Sequence, residues 1–325
     1  MVNLFLSIGG LKVGQQTLEN KLVLCCLCCC SSINKVGIKN GYQIWMCPKC
    51  GFMTTYPLPS LQELRTVYTR EYFLKQENED TENRFGYKNV LSKGAIKGNE
   101  NVSIIRLKII ENLVGQKGSV LDAGCAAGTF LSIALKRGWV TAGVELNPQM
   151  RTIAAQYCSE GNIWPLLEEA RGKYSVITMW EYLEHVIDPV SEIKKVKELL
   201  KPNGLLCLSF PNLESRKSIK DKLIWEQVKP PEHLHYWMAS NIKLFLEKLG
   251  FSIVGFRYRG FKPLLEGKRR FGSRSNPKTV FWPLMSIFSI LTIPFYDTNV
   301  RKVNFPIFIR RMYEGIEVYA KLERN

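Results

Sequence analysis

The sequence predicts an α/β fold that binds a cofactor at the carboxyl ends of its strands, preceded by a small cysteine-rich module. Two features carry this expectation. Residues 120–129 read VLDAGCAAGT, and a second apolar run, TAGVE, closes at Glu145. Upstream, the pair Cys47 and Cys50 follows a crowd of cysteines between Cys25 and Cys30. The chain of 325 residues is long enough to bury one full α/β domain and carry appendages. Its 46% hydrophobic content is ordinary, but a formal net charge of +16 is not. Such a charge suits nucleic acid, an anionic membrane surface or a phosphorylated substrate. The start MVNLFLSIGG lacks a signal-peptide pattern, so a cytoplasmic location is expected. In that setting ten cysteines read as thiols or metal ligands rather than disulfides.

The elements follow in chain order. Residues 1–60 form the cysteine module. Two C-x-x-C knuckles flank the strand-like GYQIWM and offer four thiolates on tight turns, as a tetrahedral zinc ribbon requires. The second knuckle is Cys47 and Cys50; for the first, Cys25/Cys28 and Cys26/Cys29 both have the spacing. Residues 61–100 hold a helix and then, from 75 onward, a polar Gly/Asn-rich linker or lid. Ile104–Leu113 has helical apolar spacing. Val120 and Leu121 end a buried strand. Asp122, Gly124, Cys125, Ala126, Ala127 and Gly128 make a tight turn, and Thr129 opens a helix. Small side chains let a ligand approach the backbone, and the helix start presents free N–H groups. Glu145, at the end of the next strand, suits the two O–H donors of a ribose diol. Lys173–Trp180 is a strand, SEIKKVKELL a helix, KPNG a turn, and LLCLSFPN a strand ending at Asn212. A helix capped by Ser240 and a strand over Phe251–Arg257 come next.

A dinucleotide site would show G-x-G-x-x-G. The spacing here is D-x-G-x-A-x-G, which resembles the first motif of class I S-adenosylmethionine-dependent methyltransferases, usually D/E-x-G-x-G-x-G. Ala126 stands at the middle glycine. Later text is similar to that family as well: LEHV-x-DP, a helix, LLKPNG for LLKPGG, and a strand ending in PN. The resemblance covers roughly residues 100–260 plus the final strand. It implies a Rossmann-like seven-stranded methyltransferase sheet, with its core over 101–260 and its last, antiparallel strand over 313–325. The implied cofactor is S-adenosylmethionine, lined by Asp122, Gly124, Cys125, Ala126, Gly128 and Trp180. Glu145 would hold the ribose, with Leu146 and Glu168 closing on the adenine. The N-terminal segment is similar to that of zinc-bearing sugar C-methyltransferases, down to PLPSLQELRTVYTREYF. That resemblance implies one structural zinc ion on Cys25, Cys28, Cys47 and Cys50, and puts Cys29 at a usual glycine.

The chain has three histidines, His185, His233 and His235, all in segments expected on the substrate side. Histidine titrates near neutrality, which makes it the natural base for an O–H or acidic C–H acceptor. The PPEHLHYW segment also recurs in the resembling family, which favours His233 as base with Glu232 as its orienting partner. His185 reads as a shaper of the pocket and a second candidate base. Residues 261–312 form an insert whose stretch 279–296 carries no charge and is flanked by Lys and Arg. Eighteen residues broken by Pro283 and Pro294 suit a monotopic contact with an anionic membrane better than a span. A pocket cover or dimer contact is the plainer alternative. The expected function is therefore methyl transfer to a small-molecule or lipid-linked acceptor, such as a cell-envelope glycan, with the enzyme peripheral on the membrane. A soluble nucleotide sugar, RNA, or a non-catalytic scaffold are the other readings; RNA is disfavoured because no RNA-binding module is recognisable.

Overall fold

A computed structural model describes residues 25–74, 91–261 and 311–323. The insert's uncharged stretch and the polar segment 75–90 lie outside the described residues.

The N-terminal module is a meander. Strands β1 (Asn34–Lys39) and β2 (Tyr42–Met46) are joined by Asn40-Gly41, with φ of 49° and 81°. Two consecutive left-handed residues give the turn whose twist matches a hairpin, and an Asn-Gly pair adopts it readily. Strand β3 (Met53–Tyr56) pairs with β2. A capping box between Ser60 and Glu63 starts helix α1 (Leu61–Val67), and the short helix α2 (Arg70–Leu74) follows.

The large domain opens with α3 (Lys93–Val114), whose N-cap Ser92 accepts from the Ala95 N–H. The helix thus takes in residues 93–100, which the polar composition had assigned to the linker. Its sheet strands are β4 (Ser119–Ala123), β5 (Val140–Val144), β6 (Ile163–Trp164), β7 (Tyr174–Trp180) and β8 (Leu200–Pro211). Helices α4 (Thr129–Lys136), α5 (Pro148–Ala155) and α6 (Pro189–Leu199) connect them. Beyond β8 come α7 (Arg216–Asp221), the two-residue β9 (His235–Tyr236), α8 (Ala239–Lys248), β10 (Phe251–Phe261) and β11 (Tyr313–Leu322). The seven-stranded sheet runs β10-β11-β8-β7-β4-β5-β6. Its β8 to β6 side is parallel, and β11 is antiparallel to both neighbours. The expected Rossmann-like sheet and its last strand are therefore present. Helices cover both faces, so the central strands read as nearly continuous apolar runs; Leu205, Leu206, Cys207, Leu208 and Phe210 of β8 are all fully buried.

Two local readings are corrected. Ser240 lies inside α8; Met238 is the N-cap, and its N–H donates to Oδ1 of Asn241 at 3.0 Å. Residues 201–204 belong to β8, with only Asn203 left-handed at φ 60°.

Tertiary packing makes the two parts of the chain continuous. Strand β9 adds to β3 as the fourth strand of the small sheet, with Thr54 opposite His235. Cys25, Leu27, Cys47 and Phe52 share one apolar core with Trp237, Phe210 and Leu183. The knuckles are thus buttressed by the large domain's own core.

Candidate functional site

The β4–α4 turn has the geometry of a cradle. Gly124 and Gly128 have φ of 74° and 79°. A Cβ on Gly124 would come within 2.6 Å of the Tyr182 ring, and one on Gly128 within 2.8 Å of Tyr157. The Gly124 and Cys125 N–H groups both donate to the Val144 carbonyl, at 2.8 and 3.0 Å, which ties the turn to β5. Ala126 adopts φ 46°. An L-residue in that region costs about 1–2 kcal/mol, so a glycine substitute keeps the turn at some strain. Its N–H donates to Glu145 Oε2 at 2.9 Å. The Asn147 N–H donates to Glu145 Oε1 at 2.7 Å.

Glu145 is therefore clamped by one N–H on each oxygen and keeps further lone pairs for a diol. Burial pushes its carboxyl up to about 7. Asp122 is equally enclosed; burial raises it to about 7 although Thr178 donates to its Oδ1 at 2.6 Å. Cys125 turns its sulfur toward β5, within 3.0 Å of where a Gly143 Cβ would stand, so only its backbone faces the turn. Trp180 is half-buried beneath the Arg106 guanidinium, 4.0 Å from the ring centroid. Leu146 is half-buried beside Glu145, and Glu168 is exposed on the short turn after β6.

The aromatic helix pair α1–α2 bridges this cradle to the histidines. Tyr72 and Phe73 pack with Met150 against Ala126 and Ala127. The Tyr68 carbonyl accepts from Asn147 Nδ2 at 2.9 Å, while its hydroxyl lies 2.8 Å from His185 Nδ1. Neither tyrosine was singled out as a functional residue from the sequence. The Y-x-x-x-Y-F spacing was the available signal, because it brings both rings to one side of a short helical segment.

His185 and His233 come together, with ring centroids 4.7 Å apart. His185 Nδ1 is 2.7 Å from the Glu232 carbonyl and His233 Nδ1 is 2.9 Å from the Gln227 carbonyl. A carbonyl only accepts, so each Nδ1 carries the proton and each Nε2 keeps a lone pair. Burial holds His185 down at about 4 and also holds His233 well below the usual imidazole range. Glu232 does not hydrogen-bond His233; its nearer oxygen is 4.0 Å from Nε2. That oxygen instead accepts from Tyr72 at 2.7 Å and pairs with Lys229. The Gln227 carbonyl orients His233 in its place. His235 is drawn away from the substrate side by β9 pairing, stacking on Phe52 and bonding Thr54 Oγ1 at 3.0 Å.

Beside the histidines, Glu181, Pro211, Trp225, Gln227, Arg259 and Gly315 line a polar hollow. Phe261 and Tyr313 are register partners on β10 and β11. Among the described residues no helix is long and apolar enough to cross a membrane.

The four cysteines expected to bind metal converge. Cys25 Sγ is 3.6 Å from Cys50 Sγ, and Cys28 Sγ is 3.4 Å from Cys47 Sγ. A zinc ion with Zn–S bonds of about 2.3 Å sets tetrahedral sulfur edges of about 3.8 Å, so the donor set fits with small adjustment. Hydrogen bonding from Cys50 holds Cys25 down at about 5 while the same bond raises Cys50, so Cys25 is the readier thiolate of that pair. Cys26 is not in the cluster, and burial raises its thiol.

Part of the chain is similar to known proteins. Residues 101–255 match a family model described as a methyltransferase domain. A ubiquinone biosynthesis O-methyltransferase of Coxiella burnetii is 30% identical over 128 residues, 37% of this chain and 55% of that protein. One of Idiomarina loihiensis is 29% identical over 161 residues, 46% of this chain and 63% of its own length. The chain thus spans little more than half the length of such curated relatives. A solved S-adenosylmethionine-dependent methyltransferase from Archaeoglobus fulgidus aligns with 70% of this chain and 96% of its own, at 19% identity and a TM-score of 0.46. Residues 101–255 are thus similar to the methyltransferase-domain family.

Proposed function

We propose that the protein transfers a methyl group from S-adenosylmethionine to a hydroxyl of a small-molecule acceptor. The observation that carries this reading is Glu145, a buried carboxylate clamped by the turn N–H of Ala126 and aimed beside a glycine cradle. Gly124, Gly128 and the Ala126 backbone would hold the cofactor, with Glu145 on the ribose hydroxyls and Leu146 and Glu168 toward the base. When bound, the cofactor supplies a methyl group on sulfonium sulfur, already activated for in-line displacement. The chain's task is then to position the acceptor and to help its proton leave. His185 and His233 suit that task because each directs Nδ1 at a backbone carbonyl, which leaves the lone pair on Nε2. The relatives named for O-methylation favour an oxygen acceptor over carbon.

The finer reading is a lipid-linked acceptor. The uncharged stretch 279–296 with basic flanks would rest on an anionic leaflet. The cysteine cluster would hold one structural zinc ion and keep the module docked. Labelled S-adenosylmethionine, incubated with fractionated lipid, sugar-nucleotide and RNA pools, tests the whole reading. Label is expected in a lipid or small-molecule fraction. Binding to anionic liposomes should weaken with salt and with Phe281, Trp282 and Phe288 changed to Ser. No transfer to any pool would refute the activity, and indifference to anionic liposomes at low salt would remove the lipid-linked acceptor.

A further inference from the structure

We propose that Glu184, His185 and His233 form a second divalent-metal site that takes a zinc-class transition-metal ion beside the cofactor cradle. It deepens, and rests on, the methyltransferase reading above.

Three independent observations converge. One ligand atom from each of these side chains lies within 4.8 Å of the other two. Glu184 is 1% exposed, and among the described residues neither of its carboxylate oxygens has a hydrogen-bond partner. Burying an unpaired carboxylate is costly, and a cation between the three groups offsets that cost. The third observation is the orientation of both histidines. Each donates Nδ1–H to a backbone carbonyl, Glu232 for His185 and Gln227 for His233, at 2.7 and 2.9 Å. Metal-binding histidines are usually fixed in this way, which leaves Nε2 as the ligand atom.

Neighbouring acids have other commitments. Glu181, on the same loop, accepts from Ser209 Oγ at 2.8 Å and pairs with Arg259. Glu232 is taken by Tyr72 and Lys229. Neither competes for the central position. Two imidazoles and one carboxylate suit zinc or a similar ion and leave coordination positions open; magnesium and calcium prefer oxygen donors throughout.

The location suits the transfer. Tyr182, between Glu181 and Glu184, is the ring that a Gly124 Cβ would strike, so this loop abuts the cradle. A metal ion here would bind the acceptor hydroxyl and lower its pKa, with the released proton passing to water. His233 would then act as a metal ligand rather than a free base.

The test is metal stoichiometry in the full chain, stripped with chelator and titrated with Co2+ or Zn2+ alone. The wild type should take two equivalents, one with thiolate-to-cobalt absorption and one without. Glu184→Gln and His233→Asn should keep the thiolate signal and weaken the second equivalent about tenfold or more. Cys47→Ser with Cys50→Ser should lose the thiolate signal and keep the other. Should Glu184→Gln fail to fold, the wild-type stoichiometry and His185→Asn carry the same test. A single equivalent in the wild type, or two at unchanged affinity in the variants, overturns the site and leaves Glu184 a neutral buried acid. Calorimetry with S-adenosylhomocysteine separates the two readings. Cofactor binding without the second metal overturns only this proposal, while a second metal without cofactor binding overturns only the proposed function.

Discussion

Removing the Glu145 carboxylate should weaken cofactor binding sharply and abolish its pH dependence near neutrality. In the structure each oxygen already accepts one backbone N–H, from Ala126 and from Asn147. The remaining lone pairs can accept two ribose hydroxyls. A hydrogen bond to a charged group contributes about 1.5–3 kcal/mol, so losing both costs about 3–6 kcal/mol. Each bond corresponds to roughly a 10- to 150-fold change in Kd. Glu145→Gln is not a neutral control, because its NH2 must face one of the two N–H donors. It should lose one ribose bond and loosen one side of the turn. The pH dependence has a definite sign. The folded carboxyl is raised to about 7 by burial. Ribose donors favour its ionised form, so affinity should rise as pH climbs through about 7 and fall below it. The stability linkage runs the other way. A carboxyl raised in the folded state adds stability that is present below its ordinary pKa and lost as pH rises through 7. Asp122, also raised to about 7, adds to the same trend. Calorimetry with S-adenosylhomocysteine across this range, with folding checked by circular dichroism, measures both effects. An unchanged Kd in a folded Glu145→Ala protein would refute the ribose assignment, and a flat wild-type pH profile would refute the linkage.

Three further variants have definite expected outcomes. Glu317 is fully buried, and although burial alone would raise its carboxyl, Arg106, Arg259 and Arg257 outweigh that and hold it at about 2. Its stabilising contribution is present above the ordinary carboxylate pKa and lost as pH falls toward 2, so Glu317→Gln should cost about 3–5 kcal/mol at neutral pH and blunt acid unfolding, as read by urea denaturation. In the cysteine module, Cys50→Ser should release the thiolate-bound metal and lower the melting temperature, because the knuckle shares its core with Trp237. By contrast Cys29→Gly should retain the metal and gain about 0.5–1 kcal/mol, since Cys29 is exposed at φ 58°.

Much of the site was legible because its chemistry is local. The turn from Asp122 to Gly128 needs small residues at left-handed positions, and Gly124 and Gly128 occupy such positions. Glu145 closes a five-residue strand next to that turn, so sequence distance and spatial distance agree. The second cysteine knuckle was readable from spacing alone. The first was not, because Cys25/Cys28 and Cys26/Cys29 share the spacing; only side-chain direction separates them, and Cys26 turns away from the cluster. Tyr68 and Tyr72 gained their place through contacts with residues 117 and 160 positions away in the chain.

By itself, then, the sequence determined the α/β class, the glycine-bearing turn after the first strand of the parallel sheet, the acidic residue after the second, and the second cysteine knuckle. These depend on strand periodicity, glycine geometry and ligand spacing, which act over a few residues. The tertiary structure alone decided what each histidine does. Pairing of β9 with β3 sends His235 to the cysteine module. The carbonyls of Gln227 and Glu232 then fix the other two imidazoles beside Glu184, whose carboxyl has no hydrogen-bond partner among the described residues. Backbone carbonyls, one 47 residues from His185 and one six residues before His233, set those tautomers, and no side-chain pattern along the chain encodes where such carbonyls will point.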